Sequence, residues 1–155
     1  MSAESKNPEM QFLHMYTDIN GKSAIVEKLL TCFKKESVGG KADPQWMLSF
    51  PGKVADIKFA VLPAGWVGDW HESPKKQWVI PTKGRWFIET QNGERVEMGP
   101  GDIHFGEDLD TVEIDGNTGH KSGTVGNAPC YMMIVQFESI TNEQLMDHFK
   151  PGSDT

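Results

Sequence analysis

The sequence predicts an all-β fold, a sandwich or barrel, on three observations. Glycine and proline punctuate the chain throughout, 16 and 9 of its 155 residues, and the segments between them are short. Two Asn-Gly pairs, Asn20-Gly21 and Asn92-Gly93, mark hairpin turns, because both residue types tolerate the positive φ of a type I′ turn. The segments themselves alternate apolar with polar residues, or run as short stretches of β formers.

Along the chain, residues 1–10 read as a loose polar arm with no apolar signal-peptide core. Residues 11–17 and 22–33 flank the first Asn-Gly pair. Ile25, Leu29 and Leu30 would also fit one helical face, but the hairpin signal favours a strand. Residues 36–45 form a polar, glycine-containing loop. In 58–62, Phe59 and Val61 alternate with Lys58 and Ala60, the pattern of a half-buried strand. Strands over 77–82 and 85–90 join at Lys83-Gly84. Beyond Asn92-Gly93 come 94–98, the turn Gly99-Pro-Gly-Asp102, and a short strand over 103–105. The apolar run 130–137 reads as a central strand.

The end of the chain changes character. Thr141-Asn-Glu-Gln144 has capping-box spacing, Leu145, Met146 and Phe149 share one helical face, and Pro151-Gly152 stops the helix. The expected organisation is one domain: an arm over 1–10, a barrel over 11–140, a helix over 141–150 and a tail over 151–155.

Net charge is -7, and Lys and Arg do not cluster. That argues against nucleic acid and anionic membrane surfaces, whose recognition rests on cationic side chains. No apolar run approaches the roughly 20 residues that cross a bilayer. With no signal-peptide core, the expectation is a cytoplasmic protein. Cys32 and Cys130 are not part of a C-x-x-C pair and are expected to be buried free thiols.

The chemistry-bearing stretch runs from Gly65 to Gly84. Gly65, His71, Ser73, Gln77 and Gly84 match the spacing G-x5-H-x-H-x3-E-x6-G, with Ser73 at the second His and Gln77 at the Glu. Downstream, Gly93, Gly99-Pro-Gly-Asp102 and His120 follow in the order of a second motif. The chain thus resembles the cupins. Within them it is most similar to small single-domain members with W-H-x-x-P-x-x-Q, here Trp70 to Gln77. These continue with P-G-D-x-x-x-x-E-D, here Pro100 to Asp108, and then G-H, here Gly119-His120.

The resemblance implies a double-stranded β-helix (jelly-roll) barrel with a small-molecule pocket inside. Metal-binding cupins hold a divalent ion with two His and a Glu from the first motif and a His from the second. Only His71 and His120 carry over. Ser73 is a poor substitute for an imidazole, and Gln77 offers a neutral oxygen in place of a carboxylate. Two readings stay open. In one, His71, Gln77 and His120 hold a divalent metal (Fe, Mn, Ni or Zn), with no organic cofactor. In the other, a metal-free pocket keeps its histidines for hydrogen bonding.

Glu107 and Asp108 are read either as acid/base groups at the pocket mouth or as part of a solvated acidic loop. Glu72 should point away from His71 and Ser73. Trp66, Trp70, Trp78 and Trp86 cluster around the motif as barrel core and interface. If Gln77 faces the pocket, Val79 and Pro81 do too, and Trp78 faces away. His104 lies opposite Ile103 and Phe105 and is expected outside. His14 and His148 have no motif support.

The leading functional expectation is an enzyme for isomerisation, epimerisation or elimination. Its catalytic groups would be His71, His120 and Glu107, with Gln77, Ser73 and Asp108 contacting substrate. The alternatives are a non-catalytic small-ligand-binding barrel and a metal-dependent dioxygenase. A homodimer follows from the resemblance and from the sheet edge that a jelly roll must cover.

Overall fold

The computed structural model describes residues 7–152. Its strands are β1 (Met10–Thr17), β2 (Ser23–Leu30), β3 (Lys34–Glu36), β4 (Gln45–Met47), β5 (Lys53–Leu62) and β6 (Gln77–Lys83). They continue as β7 (Trp86–Thr90), β8 (Arg95–Met98), β9 (His104–Glu107), β10 (His120–Thr124), β11 (Cys130–Ser139) and β12 (Phe149–Pro151), with one helix, α1 (Asn142–Met146). A seven-stranded sheet in the order β12-β2-β1-β9-β6-β11-β5 faces a three-stranded sheet, β10-β7-β8. The fold is an all-β jelly-roll barrel with a short C-terminal helix. Among the described residues, no helix is long and apolar enough to cross a membrane.

Both Asn-Gly hairpins form. In the first, Thr17 pairs with Ser23, and the Asp18 carboxylate accepts from the N–H of Asn20 and of Lys22, each at 2.9 Å. Gly21 has φ 81° while Asn20 stays out of the left-handed region. The loop is therefore wider than a type I′ turn, with glycine alone taking the strained position. The segment that also read as a helix is β2, and its Ile25 is buried between the sheets.

Through its middle strands, β1, β9 and β6, the large sheet is covered on both faces, and this decides where the functional side chains point. Toward the small sheet, Met15, Ile25, Val79, Cys130 and Met132 pack with Trp86, Ile88 and Met98 as the barrel interior. On the opposite face, Phe12, Trp78, Phe105 and Phe137 form a second core, capped by Ile140, Leu145 and the adjoining Phe50 and Phe149. Phe105 packs edge-on against Trp78 at 4.9 Å between ring centroids, a favoured aromatic geometry.

Local differences from the sequence-based expectation have physical causes. The loop expected over 36–45 is pinned at its base by pairing of β3 with β4. In β5 the apolar alternation points the other way. Ala60 and Leu62 pack on the barrel core, whereas Phe59 is 79% exposed on an edge strand. The helix expected over 141–150 is a single turn. Its capping box is present, with Thr141 accepting from the Gln144 N–H and Gln144 reaching back to the Thr141 N–H. Phe149 then leaves the helix to pair, as β12, with Leu30 on the open edge of β2. Cys130 is buried as expected, but Cys32 is exposed; both are free.

Candidate functional site

His71 and His120 meet across the barrel end. Their backbones exchange two hydrogen bonds, His71 N–H to His120 O and the reverse, each 2.9 Å, and the ring centroids are 4.8 Å apart. Gly119 permits this approach. It has φ +71°, and a Cβ there would lie 2.1 Å from the His71 carbonyl oxygen. Glu72 points away from His71 and Ser73, as expected, but it is a clamp. Its carboxylate accepts from the Thr111 N–H (2.9 Å) and hydroxyl (2.8 Å), and Thr111 Oγ1 accepts from the Gly119 N–H at 2.8 Å. The loop carrying His120 is thereby tied to the strand-like segment carrying His71.

Asp108, fully buried, lies behind His120. Its Oδ2 is 2.6 Å from His120 Nδ1, and its Oδ1 accepts the Ser73 N–H at 3.0 Å. Burial pushes the Asp108 carboxyl up, but the hydrogen bond and charge of His120, with the contacts of Ser73, outweigh it and hold the carboxyl below its ordinary value. An ionised carboxylate only accepts, so His120 carries its proton on Nδ1 and keeps Nε2 as the second ring nitrogen. His71 Nδ1 is likewise engaged, 2.8 Å from the Asp69 carbonyl oxygen.

His71 and His120 line a cavity of 160 Å³ inside the barrel, together with Ser73, Gln77, Trp86 and His104, walled by Leu62, Val79, Met132 and Ile134. Gln77 Oε1 accepts from Gln136 Nε2 at 3.0 Å, which orients its amide. His104 is buried and neutral. Burial, then the neighbouring His120, lowers its pKa from 6.5 to about 3.

Two expectations are corrected here. Glu107 does not share the site with His71 and His120. It points through the other face of β9, where its carboxylate meets His14 Nε2 at 2.5 Å and Lys76 Nζ at 3.5 Å, in an outer cleft of 580 Å³. His104 is inside the barrel. It does lie opposite Phe105, but Phe105 belongs to the second core, so its apolar character did not mark the barrel interior. Strand period alone could have found this. Residues 104, 106 and 108 share a face, so placing Asp108 in the pocket carries His104 in and sends Glu107 out. Trp86, expected as core, also lines the cavity, and Trp78 faces the second core as expected.

For a metal, the second-layer partners are of the right kind. Each imidazole has its Nδ1 held by a carbonyl or carboxylate, as ligating histidines usually do. The donor set is nevertheless thin. Beyond His71 and His120 it offers the neutral Gln77 amide and, on the same cavity wall, the His104 imidazole, while Asp108 is committed to His120. Among the described residues, no group of three or more His, Cys, Asp and Glu side chains is placed to share an ion. The residues that would hold a dication are His71, His120, His104 and Gln77, a set without a carboxylate to balance its charge.

No family model and no curated protein matches the sequence. Among solved structures, the chain is similar to a cupin-like protein (tm1010) from Thermotoga maritima, with 18% identity over 76% of this chain and 96% of that one, at a TM-score of 0.40. It is also similar to protein NMB1881 from Neisseria meningitidis, with 8% identity over 59% of this chain and 88% of that one, at a TM-score of 0.41. The strand order and the two packed faces of the large sheet define the jelly roll.

Proposed function

We propose that the barrel interior is a small-molecule site for non-redox proton transfer, of the isomerase or lyase type, with His120 as its acid/base group. The observation that carries this is the buried Asp108–His120 contact of 2.6 Å beside the cavity. An imidazole can both take and give a proton, and a carboxylate on Nδ1 fixes its tautomer and stabilises the imidazolium that forms. In an isomerisation of an α-hydroxy carbonyl compound, His120 Nε2 takes the α-proton, the C–H pair forms a C=C bond and the C=O π pair moves onto oxygen. The imidazolium then returns the proton to the former carbonyl carbon, while the α-hydroxyl passes its proton to that first oxygen and becomes the new carbonyl. Gln77 and His71 orient the substrate at the mouth.

The test is a screen of small carbonyl and hydroxy compounds for isomerisation or elimination, with His120→Gln as the control. Turnover lost at least 100-fold in His120→Gln supports the proposal. Saturable binding in the barrel without turnover favours the alternative, a ligand-binding barrel. Stoichiometric metal in protein purified without chelator, lost in His71→Ala, would instead support metal-dependent chemistry, dioxygenase activity included.

The proposal extends to assembly as a homodimer. β5 is an edge strand whose outward Ile57, Phe59 and Val61 continue onto Tyr131 of β11, an exposed apolar row that a second copy would cover.

A further inference from the structure

We propose that the ligand of the barrel cavity is an uncharged molecule, about the size of a six-membered ring, that presents a carbonyl or similar acceptor oxygen to the Trp86 indole N–H. The inference deepens, and rests on, the reading of the barrel interior as the functional site.

The first observation is the convergence of unpaired polar atoms. Trp86 Nε1 and both ring nitrogens of His104 are buried with no hydrogen-bond partner in the protein; Ser73 Oγ makes no bond of good geometry, although its hydroxyl helps hold the Asp108 carboxyl down; all three residues line this cavity. Ser73, Trp86 and His104 are 2%, 4% and 1% exposed. Buried polar groups are almost always paired, so a cluster of unpaired ones on residues that line one space points to a polar ligand there. Trp86 can only donate, and therefore demands an acceptor. Neutral His104 offers one donor and one acceptor, and Ser73 can serve as either. A carbonyl oxygen on the ligand answers the donors among these, the Trp86 N–H and the single His104 N–H.

Charge gives the second argument. Among the described residues, no Lys, Arg, Asp or Glu lines the cavity. The nearest ionised group, Asp108, is engaged by His120 and Ser73. A charged ligand would enter without a counter-ion, which a buried site disfavours strongly.

Shape supplies the third. At 160 Å³ the cavity is close in size to an engineered protein cavity of about 150 Å³ that holds benzene. Gly106 keeps that space open. A Cβ there would lie 2.9 Å from Ser73 Oγ and 3.0 Å from His104 Cε1, so glycine lets these two polar groups share the inner wall.

The test uses ¹⁵N-labelled protein, with the Trp86 indole signal assigned among the five tryptophans by its loss in Trp86→Phe. Cyclohexanone, cyclopentanecarboxylate and cyclohexylamine are titrated as neutral, anionic and cationic probes of matched size. The expected result is a saturable shift of the Trp86 Nε1–H with cyclohexanone alone, with affinity at least tenfold weaker in Ser73→Ala and, read at the His120 signals, in Trp86→Phe. Ser73→Ala keeps the test valid if Trp86→Phe does not fold. Equal or tighter binding of the carboxylate or amine at the same signals would overturn the uncharged class and leave the pocket reading standing. Absence of any shift at Trp86 and His120 with all three probes would overturn both.

Discussion

Glu107 and Asp108 are consecutive residues that face opposite sides of the seven-stranded sheet, and each holds a histidine: Glu107 meets His14 outside, Asp108 meets His120 within. The alternation at the end of β9 thus sets both pairs at once, and a slip of one residue would exchange them. His14 pairs from β1, which runs parallel to β9 with Tyr16 opposite Glu107, so the outer pair also pins the register that delivers Asp108 to the cavity.

Removing the inner carboxylate should be felt in acid. The folded-state pKa of Asp108 lies below its ordinary value of 3.8, so the folded protein binds fewer protons there than the unfolded chain. Its stabilising contribution is complete above about pH 4 and is lost as pH falls through the folded value. Asp108→Asn should lower stability by about 1–3 kcal/mol at neutral pH and flatten the acid limb of the curve. Urea denaturation at several pH values checks both.

His104 makes a separate contribution over a different window. Its folded pKa of about 3 lies below the ordinary 6.5, so the unfolded chain takes up a proton that the folded protein refuses. Stability should be unaffected above pH 6.5 and should decline from there toward pH 3, by roughly a few kcal/mol. His104→Phe, of similar size and without a titrating group, should remove that decline. A slope unchanged in the variant would contradict the assignment.

Gly119 is irreplaceable on geometric grounds. Gly119→Ala would place a methyl against the His71 backbone and force a β-carbon into the left-handed region. A loss of about 2 kcal/mol or more is expected, with separation of the two imidazoles. Denaturation and the His71 and His120 side-chain NMR signals would report these two effects.

Phe59→Glu tests the edge of β5. The side chain is 79% exposed, so the monomer should lose no more than about 0.5 kcal/mol. Sedimentation of the wild type as a dimer and of the variant as a monomer at micromolar concentration would support the interface. A monomeric wild type would sink it.

Much of the fold was legible because its signals are local. Asn20-Gly21, Asn92-Gly93 and the capping box at Thr141 each specify their own turn or helix start. The motif spacing brought His71, Ser73, Gln77 and His120 to one cavity. What the sequence hid was which face is inside. A sheet buried on both sides has apolar residues pointing both ways, so Phe105 and Trp78 carry no sign of which core they enter. The same ambiguity misplaced His104 and Glu107, and at the edge strand it reversed Phe59.

The double burial of the large sheet also has a kinetic side. β9 and β6 are covered on both faces and paired along both edges, so their amide hydrogens should exchange with solvent only when the whole barrel opens. His71 and His120 are joined to each other through the smaller sheet and its neighbouring segment, outside that most protected unit. Brief opening of this seam would widen the cavity mouth beside the exposed His71 at a far lower free-energy cost than unfolding the barrel, so the motion that eases ligand entry and the slow step of denaturation belong to different halves of the molecule.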